Sequence, residues 1–368
     1  MAKAAKAKKS IITDQAFEFF KSYINNASPV GFETWGQKLW IEYIKPYVDS
    51  HFLDPYGTAV GVINAEHPFK VVIEAHADEI SWFVNYITDK GLIYLKRNGG
   101  VDHQVAPAKR VIIHGKKGPV KAVFGWPAIH TRIHHGEKET QPKVENLFLD
   151  CGASNKKEIE QLGVHVGAVV TYEEGFDVLA NDYYIGRAFD NRIGGFMIAE
   201  VARLLHEHKK KLPYALYIVN SVQEEIGLRG AEMIARRIKP DVAIVTDVTH
   251  DTQTPMINKM IEGDIACGKG PSLAYGPAVH NKLLDFVQAV AKKKNIDVQL
   301  RALSRSTGTD TDSFAYAHEG CPSVLISIPL RYMHTTVEMI HRNDIESTIQ
   351  LMYESLLALT PKTNLSYL

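Results

Sequence analysis

The sequence predicts an α/β fold with a mostly parallel central sheet flanked by helices, and a small β-rich domain inserted into it. Strand-like and helical segments alternate along most of the chain, which is typical of such a layered sheet. The strand-like segments are continuous apolar runs, as expected of strands buried on both faces. A chain of 368 residues is also long enough for one large domain and a smaller one.

The N-terminal part is predicted to form two helices and a strand. Apolar residues recur at helical spacing after Asp14, which is the predicted N-cap of the first helix. Residues 34–47 predict a second helix. The apolar run over residues 71–73 then predicts a buried strand that ends at His76.

Residues 81–180 have a different sequence pattern from the segments on either side. Short β-rich runs such as RVIIHG and PVKAVFG are separated by Gly, Lys and Pro, and helical periodicity returns only at KKEIEQLG. We therefore predict an inserted β-rich domain over this range. The main domain would comprise residues 1–80 and 181–368, with residues 1–10 as a basic flexible tail.

The alternation of strands and helices resumes in the C-terminal half. A helix is predicted directly after Asp190, followed by the strand LYIVNSV, the helix AEMIARRI and the strand DVAIVTDV. The run SVLISIP predicts a further buried strand. Asp344 is the predicted cap of a final helix.

The composition excludes several classes of protein. With 42 basic and 42 acidic side chains, the formal charge is zero, which argues against a nucleic-acid partner. The three cysteines Cys151, Cys267 and Cys321 show no paired spacing, so a reducing, cytoplasmic location is expected. No apolar run approaches the ~18 residues that a bilayer requires, and no export signal follows the basic N-terminus.

Five potential metal ligands fall near predicted strand ends or, for Asp190, before a helix. Functional residues of open α/β sheets gather beyond the carboxyl ends of strands. Taken singly, each of the five is more simply read as a loop, cap or turn residue, and their shared placement is what favours a site. They are His76, Asp190, Glu225, Asp247 and His334.

Imidazole and carboxylate ligands without thiolates suit zinc, cobalt or manganese. We predict two ions bridged by Asp190, one bound by His76 and Asp247 and the other by Glu225 and His334.

Two neighbouring carboxylates are assigned catalytic roles. Glu224 is the predicted base for a water acidified by the metals, because it adjoins a ligand without being one. Asp78 is predicted to hold the other nitrogen of the His76 ring.

Two other polar clusters could also have a function. The turn STGTDTDSF places Thr309 and Asp310 where they could bind substrate, or where they could form a plain turn. His130, His134 and His135 have metal-like spacing but lack a nearby carboxylate, which favours a surface loop. No G-x-S-x-G nucleophile motif or phosphate-binding glycine loop is present.

The chain resembles the glutamyl aminopeptidase and tetrahedral (TET) aminopeptidase family of co-catalytic dinuclear metallopeptidases. The matching motifs are His-Ala-Asp at 76–78, Phe-Asp-Asn-Arg at 189–192, Glu-Glu-Ile-Gly at 224–227, TDV around Asp247 and RYMHTT around His334. Similar segments cover nearly the whole chain, but the turn STGTDTDSF departs from the family's usual Gly-Gly-Thr-Asp-Ala.

The resemblance implies a zinc-peptidase-like catalytic domain and a PDZ-like inserted domain used for dimerisation. It also implies dimers that assemble into a hollow tetrahedral dodecamer, two divalent ions per subunit and short peptides as substrates. We therefore predict an aminopeptidase with no nucleic-acid or membrane partner. The alternatives are a deacylase or carboxypeptidase on the same metal frame, a non-catalytic metal-stabilised scaffold and, less favoured, an endoglucanase, since Glu224 and Glu225 are adjacent and cannot easily flank a glycosidic bond.

Overall fold

A computed structural model describes residues 10–132, 141–173 and 175–368 of the chain. Most of the predicted basic tail, and His134 and His135, lie outside these residues. The helices are α1 (Asp14–Asn25), α2 (Thr34–Ile44), α3 (Ile129–Arg132), α4 (Lys156–Gln161), α5 (Phe189–Glu207), α6 (Arg229–Ile238), α7 (Lys259–Glu262), α8 (Asn281–Lys294), α9 (Thr311–Ala315) and α10 (Arg342–Ala358).

The strands form a central sheet, a barrel and a small third sheet. They are β1 (Ser50–Leu53), β2 (Ala59–Ile63), β3 (Lys70–His76), β4 (Ser81–Ile87), β5 (Ile93–Asn98), β6 (Arg110–Gly115), β7 (Gly118–Gly125), β8 (Phe148–Asp150), β9 (Val169–Tyr172), β10 (Asp177–Val178), β11 (Tyr183–Gly186), β12 (Ala215–Ser221), β13 (Val242–His250), β14 (Ser272–Tyr275), β15 (Gln299–Ala302), β16 (Ser323–Leu330) and β17 (Glu338–His341).

The central sheet has the strand order β1-β2-β12-β3-β13-β16-β14-β15. Its middle strands, β12, β3, β13 and β16, run parallel to one another, whereas β1, β2 and the junction of β14 with β16 are antiparallel. The parallel middle brings the carboxyl ends of these strands to one edge of the sheet.

Helices cover both faces of the middle strands. Every residue of β16, and all but the last of β13, is buried, and successive side chains of a strand point to opposite faces. Helix α5 packs against β3 and β13, while α9 packs against β13 and β16. The predicted α/β class, with a central sheet flanked by helices, is confirmed.

Three helix boundaries differ from the sequence prediction. Thr13, not Asp14, caps α1, because its hydroxyl accepts the Ala16 N–H. The second helix ends at Ile44, and residues 45–47 continue it as one 3-10 turn.

Asp344 does not cap α10, whose N-cap is His341. The Asp344 carboxylate instead accepts the N–H groups of Gly268 (2.6 Å) and Gly270 (2.7 Å) from a distant loop. The Asp344 side chain therefore makes a tertiary contact instead of the helix cap that the sequence pattern predicts.

Strands β4 to β9 close into an antiparallel barrel in the order β4-β5-β8-β7-β6-β9. The barrel has its own apolar core, in which Trp82 packs edge-on against Phe124 with ring centroids 5.4 Å apart. It occupies most of the 81–180 segment for which an inserted domain was predicted. The domain boundaries themselves stay a prediction.

A buried ion pair fastens the two ends of this segment together. The Arg187 Nε donates to Glu79 at 2.5 Å, and Glu79 also accepts the Ser28 N–H at 2.6 Å. Glu79 precedes the barrel and Arg187 follows it, so the pair ties the barrel's entry and exit to the N-terminal segment.

None of the described helices combines the length and apolar character that crossing a bilayer requires. Cys151, Cys267 and Cys321 are free thiols.

Candidate metal centre

All five predicted ligands lie within one cluster at the edge of the central sheet. Among the described residues, three overlapping groups have ligand atoms within 4.8 Å of one another. The groups are His76 with Glu224 and Glu225, His76 with Asp190 and Asp247, and Asp190 with Glu225 and His334.

Asp190 occupies the middle of the cluster. Its Oδ1 lies 3.3 Å from the His76 Nε2, and its Oδ2 lies 3.3 Å from the His334 Nε2. Burial would raise the pKa of Asp190, but hydrogen bonds and charge from His334 and His76 hold that pKa below its usual range. The two oxygens of one carboxylate thus face two separate sets of ligands, which is the arrangement that a bridging ligand needs.

The first set, which we call the deep half, comprises His76 and Asp247. His76 is the last residue of β3 and is 1% exposed, and Asp247 on the neighbouring strand is 4% exposed. The His76 Nε2 and the Asp247 Oδ1 are 3.8 Å apart.

Asp247 was predicted at the end of its strand, and this placement is wrong. Strand β13 continues to His250 because it pairs with β16 as far as that residue. Its pairing with β3 ends at Val245. Asp247 therefore lies inside a strand, but beyond the last residue of β13 that pairs with β3, so its side chain can reach the metal ligands.

The second set, which we call the shallow half, comprises Glu225 and His334. The His334 Nε2 lies 3.3 Å from the Glu225 Oε2. The His334 side chain is 33% exposed, and its backbone has a left-handed φ of 61°. The other Glu225 oxygen, Oε1, is buried without a hydrogen-bond partner in the described residues, and such an orphaned acceptor suits a metal ligand.

Asp78 has more contacts than the sequence indicated. The His76 Nδ1 lies 3.2 Å from its hydrogen-bond partner, the Asp78 backbone oxygen, and 3.4 Å from the Asp78 Oδ1. The Asp78 carboxylate also accepts the N–H groups of Glu224 (3.0 Å) and Glu225 (3.1 Å). Asp78 therefore contacts the ring of a deep ligand, and its carboxylate holds the turn that carries a shallow ligand and the predicted base.

Two groups that hold His334 were missed by the sequence analysis. Glu338 on β17 accepts the N–H groups of Asp190 and of His334, both at 3.0 Å, and so links the backbones of the central residue and the shallow half. The Gly100 carbonyl, from the loop after β5 of the barrel, lies 3.1 Å from the His334 Nδ1. No motif marks either group, because both depend on how distant segments pack.

Glu224 faces the cavity beside the ligands. Its Oε2 is 3.8 Å from the His76 Nε2. Burial raises the pKa of Glu224 to about 11; the charge of His76 opposes this increase, and the charges of Asp247 and Asp310 add to it.

The charge of the cluster fits divalent cations. Burial also raises the pKa of Glu225 and of Asp247, while hydrogen bonds to Asp190 and Glu225 raise the pKa of His334 to about 12 against the opposing effect of burial. Carboxylates buried this closely together form an environment that bound divalent cations would neutralise. The imidazole and carboxylate donors match zinc, cobalt or manganese.

A cavity of about 550 Å³ opens over this cluster. Thr309, one of the two predicted substrate-binding residues, lines it. Asp310 is 1% exposed, does not line the cavity, and instead accepts a hydrogen bond from Ser221 at 2.7 Å. His130 lies on the exposed helix α3, outside the metal-like groups of the described residues.

Comparisons with known proteins identify the family of this chain. Residues 57–351 match the model of the M42 glutamyl aminopeptidase family. A lysyl aminopeptidase of Pyrococcus furiosus is 32% identical over 346 residues, which cover 94% of this chain and 98% of that protein.

Solved structures of aminopeptidases are also similar to this chain. A TET aminopeptidase of a marine sediment Thaumarchaeota archaeon superposes with a TM-score of 0.91 at 31% identity, covering 95% of this chain and 98% of that one. The Pyrococcus horikoshii TET1 peptidase, described as assembling into a tetrahedron or a large octahedral shell, superposes with a TM-score of 0.81 at 25% identity, covering 92% and 98%. The chain therefore belongs to the M42 glutamyl aminopeptidase family and is a peptidase.

Proposed function

We propose that this peptidase is a dinuclear metal-dependent aminopeptidase that removes N-terminal residues from short peptides. The observation that carries the proposal is the position of Asp190, whose two oxygens each lie 3.3 Å from a different histidine. His76 and Asp247 would hold one ion and Glu225 and His334 the other, with zinc or cobalt best matched to these donors. Bound ions would polarise the scissile carbonyl and acidify a water molecule.

The chain's own residues supply the remaining chemistry. Glu224 lines the cavity beside the ligands, its Oε2 lies 3.8 Å from the His76 Nε2, and bound cations would lower its raised pKa. It is therefore suited to accept the proton of the attacking water and to deliver it to the leaving amine. Asp78 holds the backbone of this base in place through the Glu224 N–H.

The decisive variant is Glu224→Gln, which keeps the shape of the side chain and removes its basicity. We expect turnover of aminoacyl-p-nitroanilides to fall by about two to four orders of magnitude, as for other general bases, with metal content unchanged. Glu232→Gln, an exposed carboxylate on α6, is the matched control and should retain activity. Retained turnover in Glu224→Gln would refute the assignment of the base.

A deacylase or a carboxypeptidase could use the same ligands. Paired substrates that differ only by N-acetylation separate the two readings, because an aminopeptidase requires the free amine. Preference for the acetylated member of the pair would replace the aminopeptidase proposal with the deacylase one. A metal-reconstituted sample inactive on every substrate would support the scaffold instead.

We further propose that the chain self-associates as dimers through the barrel and, like the related shell-forming peptidase, as a larger closed assembly such as a tetrahedral dodecamer. Such a shell would admit only short or unfolded peptides. The free thiols of the described residues agree with a cytoplasmic location. Native mass spectrometry measures the assembly, and a monomer at micromolar concentration would contradict it.

A further inference from the structure

Arg301 places an unpaired positive charge in the wall of the cavity over the metal centre. It lies on β15, the last strand of the central sheet, and lines the same cavity as Asp190, Glu224 and His334. Within the described ranges, no carboxylate lies within ion-pair distance of its guanidinium group. Its Nε is buried and has no hydrogen-bond partner there.

Such a group is costly to leave unsatisfied. A guanidinium remains charged at any physiological pH, so it cannot escape desolvation by losing a proton. Burial lowers the pKa of Arg301, and the charge of Asp247 only partly opposes this. The energetics therefore favour a ligand that brings an anion to Arg301.

The other charged groups in this part of the wall do not supply that anion. The Asp312 carboxylate already accepts the Thr307 N–H at 3.0 and 3.1 Å and the Thr307 hydroxyl at 3.0 Å. Burial and the nearby charge of Arg301 lower the pKa of His250, which keeps that ring neutral. Among the described residues that line the cavity, Arg301 is thus the one arginine or lysine, and it remains available to an anion.

We infer that Arg301 binds the side-chain carboxylate of the substrate's N-terminal residue, so that the enzyme prefers peptides that begin with glutamate or aspartate. The inference rests on the proposed aminopeptidase function, in which the N-terminal residue occupies the cavity beside the metals. Family membership does not decide the point, since the family is described as glutamyl and the Pyrococcus furiosus relative as lysyl. An arginine fork matches a carboxylate with two parallel hydrogen bonds.

The first test uses the unaltered, metal-loaded enzyme and needs no variant. Glutamyl and glutaminyl p-nitroanilides have nearly the same shape and differ in charge, as do the aspartyl and asparaginyl pair. We expect kcat/KM to be about 10- to 100-fold higher for the acidic member of each pair, as for a charge-assisted hydrogen bond. A lysyl substrate should be the poorest. Equal rates within both pairs, or a preference for the lysyl substrate, would overturn the inference.

Variants of Arg301 then assign the preference to this side chain. Arg301→Met should bring the ratio of kcat/KM for the glutamyl over the glutaminyl substrate down to about one, chiefly through loss of the glutamyl rate. Arg301→Lys should retain part of the advantage, and Arg301→Glu should shift the preference towards the lysyl substrate. Arg305→Met, at an exposed arginine in the following loop, is the matched control and should behave like the wild type.

Two further outcomes are distinguishable. An equal loss of activity on all substrates in Arg301→Met would assign a structural role and refute the inference. Arg301 could otherwise bind the terminal carboxylate of a dipeptide. In that case the wild type would cleave a dipeptide faster than its C-terminal amide, and Arg301→Met would cleave both equally. This result would assign Arg301 to the terminal carboxylate and overturn our inference. If the wild type cleaves no aminoacyl substrate of any charge, the proposed function itself fails.

Discussion

The two halves of the candidate metal centre are held in different ways. In the deep half, His76 and Asp247 lie on adjacent parallel strands whose side chains are buried on both faces of the sheet. In the shallow half, His334 lies on a loop after β16 with a third of its side chain exposed. The deep ligands are therefore fixed by the core of the protein, whereas His334 of the shallow half is fixed by a few hydrogen bonds.

The two halves of one site thus combine two levels of rigidity. A core position such as that of His76 cannot move without disturbing packed neighbours. His334, in contrast, depends on the Gly100 carbonyl and on Glu338. We expect the deep half to bind its ion more tightly than the shallow half binds the other.

The largest effect is expected where the halves meet. Asp190→Ala removes the carboxylate that faces both histidines, so both ions should be lost together with nearly all activity. Metal content by atomic emission spectroscopy measures the loss, with Asp177→Ala on the exposed strand β10 as control. Full occupancy in Asp190→Ala would show that the halves are independent.

The second prediction separates the halves. His334→Ala should lose the shallow ion and keep about one ion per subunit, whereas His76→Ala should lose the deep ion and also lower the melting temperature, because it empties a buried position. A chelator titration of the wild type should correspondingly release metal in two phases. A single phase, with equal losses in the two variants, would contradict the comparison.

The smallest effect is expected from the barrel side. A Cβ atom at Gly100 would lie 2.8 Å from the His334 Nδ1, so Gly100→Ala should displace that ring. We expect the shallow ion to bind about 10- to 100-fold more weakly, as when an outer partner of a ligand is altered, with the deep ion unaffected. Gly175→Ala, whose nearest neighbour would be 3.5 Å away, is the control. Unchanged metal affinity in Gly100→Ala would show that the barrel does not support the metal centre.

The sequence predicted a ligand's place correctly where the end of its strand is set locally, and wrongly where that end depends on a partner strand. An apolar run such as residues 71–73 predicts a buried strand, and the place where it ends follows from its length. His76 could therefore be placed correctly at the end of β3. Asp247 was placed at a strand end wrongly, because the extension of β13 depends on its partner β16.

Groups that depend on distant packing were beyond the sequence. Glu338 and Arg301 lie on short strands at the periphery, where neither periodicity nor motif distinguishes them from surface residues. Asp344 was assigned to a helix cap because such a cap is a local pattern, yet two N–H groups from the loop at 268–270 compete for it. Local patterns are overridden wherever a tertiary hydrogen bond satisfies the same side chain better.

The contact between Gly100 and His334 also limits how this protein can be shortened. A designer who seeks a minimal enzyme would replace the barrel, from β4 to β9, with a short linker across the gap that Glu79 and Arg187 already span. Such a deletion would remove the acceptor of the His334 ring and leave the shallow half without one of its two supports. The linker would therefore have to present a carbonyl oxygen at the same point, or the truncated protein would bind its second ion poorly.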